Sequence, residues 1–176
     1  MEECIIKSPL GFTKIVGDAD GIASVIVLNN IELSEGESNK LSFLQKQESK
    51  EKITDIIPNE LEDCVIQLNE YFEGTRKQFD LKLNPEGTDF QKKVWKHLEQ
   101  IPFGKTISYL ELSKQLGDVK AIRAVANANG KNPLWIIVPC HRVIGTDGSL
   151  TGYAGGLHRK QWLLQHESPY KQQSLF

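Results

Sequence analysis

Leu134-Trp135-Ile136-Ile137-Val138-Pro139-Cys140-His141-Arg142-Val143 opens with five apolar residues of the kind that fill a buried strand. Proline cannot donate to a sheet ladder, so Pro139 marks the strand's end and a turn where the next side chain is presented. That side chain is a cysteine. Taken alone, a cysteine at the end of a buried strand packs like a small apolar group. Here His141 and Arg142 follow, and either would favour a thiolate. A free thiol titrates at about 8.5 and must be lowered, or served by a base, to attack at neutral pH.

Upstream of this stretch the pattern is helical. Thr88 with Gln91 forms a capping box opening a helix that places Phe90, Val94, Trp95 and Leu98 on one face. Pro102-Phe103-Gly104 ends it. Ser108 with Glu111 forms a second capping box, and Gly117 closes that short helix. Asp118 caps a third helix through Ala121, Ile122, Val125 and Ala126, which Gly130 and Pro133 end. Two short helices meeting at Gly117-Asp118 make a helix-turn-helix candidate. Downstream, Trp162-Leu163-Leu164 lies in a last helix over 157–166.

The first half alternates differently. Gly21-Ile22-Ala23-Ser24-Val25-Ile26-Val27-Leu28 is a β-branched run bounded by glycine and asparagine, and Phe12-Thr13-Lys14-Ile15-Val16 precedes it at hairpin distance. Residues 32–55 are polar, with a short strand expected at 41–44. Leu61, Cys64, Val65, Leu68, Tyr71 and Phe72 recur at helical spacing after Pro58. Phe79, Leu81 and Leu83 alternate with Asp80 and Lys82 as in a strand. Asn84-Pro85-Glu86-Gly87 is the linker candidate.

The chain has 176 residues, 39% hydrophobic and 25% charged, ordinary for a globular protein. No run approaches the ~20 apolar residues of a membrane helix. Met1-Glu2-Glu3-Cys4 carries acid where a signal peptide carries base, so a cytoplasmic protein is expected. Cys4, Cys64 and Cys140 are odd in number and widely spaced, which argues against a disulfide framework. All four histidines lie in the second half, and neither a metal nor a cofactor is expected. Residues 1–84 hold 9 Lys+Arg against 16 Asp+Glu, net −7, while residues 85–168 hold 11 against 7, net +4. A basic half suits a polyanionic partner.

Pro139-Cys140-His141-Arg142-Val143 resembles the active-site signature of the O6-alkylguanine-DNA alkyltransferases. The resemblance extends over about residues 85–168, through Gly87-Thr88, Val94-Trp95, Ile107-Ser108-Tyr109, Arg123-Ala124-Val125, Asn132-Pro133, Gly152-Tyr153-Ala154-Gly155-Gly156 and Trp162-Leu163-Leu164. It implies an RNase H-like α/β domain over 1–84. It further implies a mainly α domain with a winged-helix-like helix-turn-helix over 85–168, and a flexible tail over 169–176. It implies direct-reversal repair, in which an alkylated guanine is flipped from duplex DNA and its alkyl group passes once, irreversibly, to Cys140. Such a base must leave the stack to be reached.

The resemblance also implies roles. Cys140 would be the nucleophile and His141 a base acting through a water. Glu167 would orient the imidazole, and Asn132 would brace the turn before the cysteine. Tyr109 would hydrogen-bond guanine N3 and help rotate the phosphate. Arg123, beside Ala124 on a helix able to approach the backbone closely, would enter the minor groove and fill the vacated space. Tyr153 and Ala154 would close over the base, with Val138 and Pro139 lining the pocket. A monomer is expected. Beyond the domain, Gln172-Gln173-Ser174-Leu175-Phe176 resembles the peptide by which bacterial proteins bind the replication sliding clamp, the other reading being a frayed terminus. Two further functions remain open: a module that binds alkylated DNA without transfer, and a cysteine hydrolase using Cys140, His141 and Glu167.

Overall fold

A computed structural model describes residues 1–28 and 53–169. The strand expected at 41–44 and the peptide at 172–176 lie outside the described residues. Three strands, β1 (Glu2–Ser8), β2 (Gly11–Asp18) and β3 (Gly21–Val27), form an antiparallel meander in the order β1-β2-β3. Ile15 and Thr13 of β2 alternate inward with Ile22, Val25 and Val27 of β3, as a sheet with one covered face requires. A register shift at Val16/Gly17 adds a bulge. Helix α1 (Asn59–Glu73) covers that face with Leu61, Cys64, Leu68 and Tyr71, all fully buried at helical spacing. Gly74 ends α1 in the left-handed conformation, φ +83.

The free edge of β3 is where the second half joins the first. Ile22 N donates to Lys82 O and Asn84 N to Ile22 O, both at 2.8 Å, making a parallel bridge to Leu83. Further along, Val25 N donates to Pro133 O at 2.9 Å and Trp135 N to Val25 O at 3.0 Å, a second parallel bridge to Leu134. Two short bridges therefore cap an edge that would otherwise present unpaired backbone groups.

These bridges revise two strands expected from sequence. Residues 79–83 alternate, yet only the end of the run, Lys82 and Leu83, reaches the sheet. Asp80 pairs instead with the Gln67 side chain, which accepts from Asp80 N at 2.8 Å and donates to Asp80 O at 2.9 Å. The apolar run 134–138 is no strand either. It bridges β3 at Leu134, with Trp135 N also bonding Val25 O, and then turns on itself. Strand β1 had no counterpart in the sequence-based expectation.

The second half contains α2 (Asp89–Leu98), β4 (Ile107–Ser108), α3 (Tyr109–Gln115), α4 (Ile122–Gly130), β5 (Val143–Ile144) and α5 (Leu157–Glu167). Thr88 and Gln91 make both bonds of the capping box at the start of α2. At α3 only half of the expected box forms: Ser108 Oγ accepts from Glu111 N at 3.0 Å, while the Glu111 carboxylate turns to Gln115. Asp118 caps a 3-10 turn, Val119–Ala121, that leads into α4. α4 packs against both α2 and α3, and Trp95 Nε1 donates to Ala128 O at 2.8 Å across the first of these contacts. β4 and β5 pair in parallel beside the helix-turn-helix. Among the described residues no helix is long and apolar enough to cross a membrane.

The junction at β3 generates a test. Gly21 has φ +135, and a Cβ there would lie 2.8 Å from Lys82 O. Gly21→Ala must strain its backbone and push the 82–84 segment away. A loss of about 3 kcal/mol is expected in urea unfolding; a midpoint equal to that of the unsubstituted protein would show that the bridge tolerates displacement.

Candidate active site

After Trp135 the chain reverses within a few residues. Ile137 N donates to Trp135 O at 2.8 Å, closing a γ-turn around Ile136 at φ +73. Positive-φ γ-turns are rare, and a β-branched residue in one carries strain of about 1–3 kcal/mol. Cys140 N then donates to Val138 O at 2.8 Å around Pro139 (φ −83, ψ 62), an inverse γ-turn that the pyrrolidine ring favours. Asn132 holds the pair together: its Oδ1 accepts from Leu134 N at 2.9 Å, and its Nδ2 donates to Leu134 O at 3.2 Å and Val138 O at 2.9 Å. Cys140 emerges as the first residue of a 3-10 turn, Cys140–Arg142, and is only 3% exposed.

Burial dominates the electrostatics. It pushes the Cys140 thiol up to about 11, against the opposing pull of the Asn132 amide and the Lys160 charge, so the group is a protonated thiol at neutral pH. Burial also lowers His141, against the opposing effect of Glu167, so the imidazole is neutral. Burial alone would raise the Glu167 carboxyl, but hydrogen bonds from His141 and Arg142 outweigh it and hold the group down at about 2. His141 Nε2 lies 2.7 Å from Glu167 Oε1. An ionised carboxylate only accepts, so Nε2 carries the proton and Nδ1 holds the lone pair. Nδ1 is buried and has no protein hydrogen-bond partner among the described residues.

Arg142 faces away from the thiol, contrary to the expectation that it would favour a thiolate. Its Nε donates to Glu167 Oε2 at 2.8 Å, its Nη2 to Glu167 Oε1 at 2.9 Å and its Nη1 to Ile101 O at 2.6 Å. The cation whose field reaches Cys140 is Lys160. Fully buried on α5, Lys160 donates through Nζ to Val143 O at 2.6 Å, Thr151 O at 2.9 Å and Gly152 O at 3.4 Å. Burial lowers it to about 8. Its place was available in the sequence, because Lys160, Leu163 and Glu167 fall on one helical stripe.

A cleft of about 600 Å³ has a lining that includes Tyr109, Arg123, Ala126, Gly152, Tyr153 and Ala154. Tyr109 opens α3; its hydroxyl accepts from Asn129 Nδ2 at 3.3 Å and donates to Thr151 O at 3.4 Å. Asn129 Nδ2 also reaches Cys140 O at 3.4 Å. Tyr153 packs on Trp135, with ring centroids 5.7 Å apart, and its buried hydroxyl has no hydrogen-bond partner among the described residues. Arg123 and Ala124 are exposed on α4, and Arg123 lines the cleft. Val138 and Pro139 are buried in the turn behind Cys140.

The structure thus gathers Cys140, His141, Glu167, Asn132 and Tyr109, with Tyr153 half-buried beside Trp135 and with Arg123, Ala124 and Ala154 exposed. Sequence reasoning passed over Lys160, Asn129 and the Tyr71 hydroxyl, which donates to Glu167 Oε1 at 2.7 Å. His166 is half-buried, stacks on Trp162 and lies with Nε2 2.7 Å from Tyr71 O. Cys4 and Cys64 are buried and unpaired. No cluster of three or more His, Cys, Asp or Glu among the described residues is placed to hold a metal ion.

Comparison with known proteins accounts for both halves. Residues 2–85 match the ribonuclease-like domain of 6-O-methylguanine DNA methyltransferase, and residues 89–169 match the DNA-binding domain of the same family. A methylated-DNA–protein-cysteine methyltransferase of Methanosarcina barkeri is 44% identical over 165 residues, covering 93% of this chain and 94% of that protein. One from Mycobacterium tuberculosis is 54% identical over 110 residues, covering 62% of this chain and 67% of that protein. The crystal structure of Mycobacterium tuberculosis OGT in complex with DNA superimposes with a TM-score of 0.77 at 40% identity, covering 95% of this chain and 93% of that one. The RNase H-like α/β first half and the helix-turn-helix second half are those of the family, and the chain belongs to the 6-O-methylguanine DNA methyltransferases.

Proposed function

We propose that the chain repairs O6-alkylguanine by direct reversal, taking the alkyl group onto Cys140 in a single turnover. The observation that carries this mechanism is the pairing of a protonated, buried thiol with a neutral imidazole whose Nε2 is committed to Glu167 and whose Nδ1 is open. A water between Sγ and Nδ1 passes the thiol proton to His141. The S–C bond forms as the C–O6 bond breaks, and its electron pair stays on the guanine, where Tyr109 stabilises the charge by a hydrogen bond to N3. The product is a thioether, a poor leaving group, so each molecule reacts once.

Arg123 and Ala124 meet the duplex, with Arg123 filling the space that the flipped base leaves. Tyr153, Ala154, Val138 and Pro139 enclose the base, and Asn132 keeps the turn in register. The functional units are residues 1–84, residues 85–168 and a tail, 169–176. The protein acts as a cytoplasmic monomer on double-stranded DNA.

The defining experiment uses duplex DNA carrying labelled O6-methylguanine. One equivalent of label is expected on Cys140, and none in Cys140→Ala. Tight binding without transfer would identify a recognition module instead, and turnover of an ester or peptide a hydrolase.

The transfer rate also has an expected pH dependence. Burial depresses His141, so its neutral, basic form persists below the ordinary imidazole value. Single-turnover rates should be flat near pH 7 and fall only on acidification below about 6.5. A midpoint above 7 would require a base other than His141.

The tail peptide Gln172-Gln173-Ser174-Leu175-Phe176 presents a glutamine and an apolar Leu-Phe pair suited to the sliding clamp's pocket. Purified clamp should bind the full chain and not the Leu175→Ala/Phe176→Ala variant, with transfer to DNA unchanged in isolation. Equal binding by both would remove the clamp as a partner.

A further inference from the structure

Tyr71 belongs to α1 of the first half, 96 residues before Glu167, yet its hydroxyl reaches the buried carboxylate at 2.7 Å. Glu167 Oε1 also accepts from His141 Nε2 at 2.7 Å and Arg142 Nη2 at 2.9 Å, while Oε2 accepts from Arg142 Nε at 2.8 Å. A carboxylate oxygen offers about two lone-pair sites, and here three of the four donors converge on Oε1 while one meets Oε2. The two from Arg142 are permanent, because a guanidinium does not lose its proton in a protein. The remaining two, from Tyr71 and His141, share one oxygen and so divide its charge.

We propose that Tyr71 is a positioning residue for alkyl transfer: its hydroxyl sets how strongly Glu167 pulls on the His141 imidazole. This rests on His141 being the base. A stronger bond from Tyr71 leaves less charge for the imidazolium and keeps His141 a base at lower pH. A missing bond leaves the carboxylate freer to stabilise the protonated ring. The first half thereby takes part in the chemistry.

Tyr71 is held for this task at several points. Its ring lies 5.5 Å from Phe72, 5.6 Å from Phe79 and 6.1 Å from Phe103, centroid to centroid. Its carbonyl, in the last turn of α1, accepts from Gly74 N at 3.1 Å and from His166 Nε2 at 2.7 Å. The other charged or titratable groups around the dyad are Arg142 and Cys140 on the turn, Lys160 and His166 on α5, and Tyr153 on the loop. Cys140 at about 11 and Lys160 at about 8 keep one state through the acid limb. His166 contacts both the ring and the carbonyl of Tyr71, so the comparison is made in a His166→Gln background, whose amide can still donate to that carbonyl.

The test measures single-turnover transfer from labelled O6-methylguanine duplex across pH 4.5–8 with the full chain. Three proteins are compared: Tyr71 retained, Tyr71→Phe, and Tyr71 replaced by 3-fluorotyrosine, a stronger donor of nearly the same shape. The acid-limb midpoint should rise by about half to one unit in Tyr71→Phe and fall with 3-fluorotyrosine. Superimposable profiles, with only the melting temperature changed, would overturn the proposal and leave Tyr71 a packing residue. If Tyr71→Phe does not fold, the fluorotyrosine protein decides by the direction of its shift. Absence of label on Cys140 in the unsubstituted protein would instead reject the transfer mechanism itself.

Discussion

A single buried carboxylate organises this molecule. Removing an ion from water costs several kcal/mol unless its lone pairs are matched. Glu167 meets that condition only when three separate parts of the chain arrive together: Tyr71 from α1, the pair His141 and Arg142 from the turn, and α5, which carries the acid itself. Arg142 extends the network to Ile101 O, just beyond α2. Satisfying the acid therefore fixes the first half against the second, and both against the segment that bears the nucleophile. The position of Glu167 at a helix C-terminus, which the macrodipole disfavours, is offset by that set of donors.

The same region stores strain and contains it. The chain reaches Cys140 through a positive-φ turn at Ile136 and an inverse turn at Pro139, and Asn132 spans both with three bonds. Lys160 performs the matching service on the far side, collecting carbonyls from β5 and from the loop that leads to Tyr153. One buried amide and one buried ammonium thus lock the two walls between which the thiol sits. Burial keeps the thiol protonated until a base receives its proton.

Much of the second half was legible residue by residue. Thr88 and Gln91 cap α2 as their spacing requires, Gly117 and Asp118 separate two short helices, and Trp162-Leu163-Leu164 lies in the last helix. The failures have a common cause. Residues 134–138 and 79–83 have strand-like composition, but composition reports burial, and burial does not specify a ladder. In the first run Asn132 supplies the hydrogen bonds that a neighbouring strand would have supplied; in the second Gln67 does so. Arg142 was assigned to the thiol by adjacency, whereas its guanidinium reaches a carboxylate 25 residues away.

By itself the sequence determined the order of helices and breakers, the Cys140-His141 adjacency and, through motif spacing, the family. These are properties of neighbours along the chain, where periodicity and capping act over a few residues. Tertiary structure alone decided which cation faces the thiol, which nitrogen of His141 is open, and that a tyrosine of the first half touches Glu167. Those facts depend on contacts between residues up to 96 positions apart. Hydrogen bonding to a buried charge is directional and short in range, so it is set only when the elements have packed.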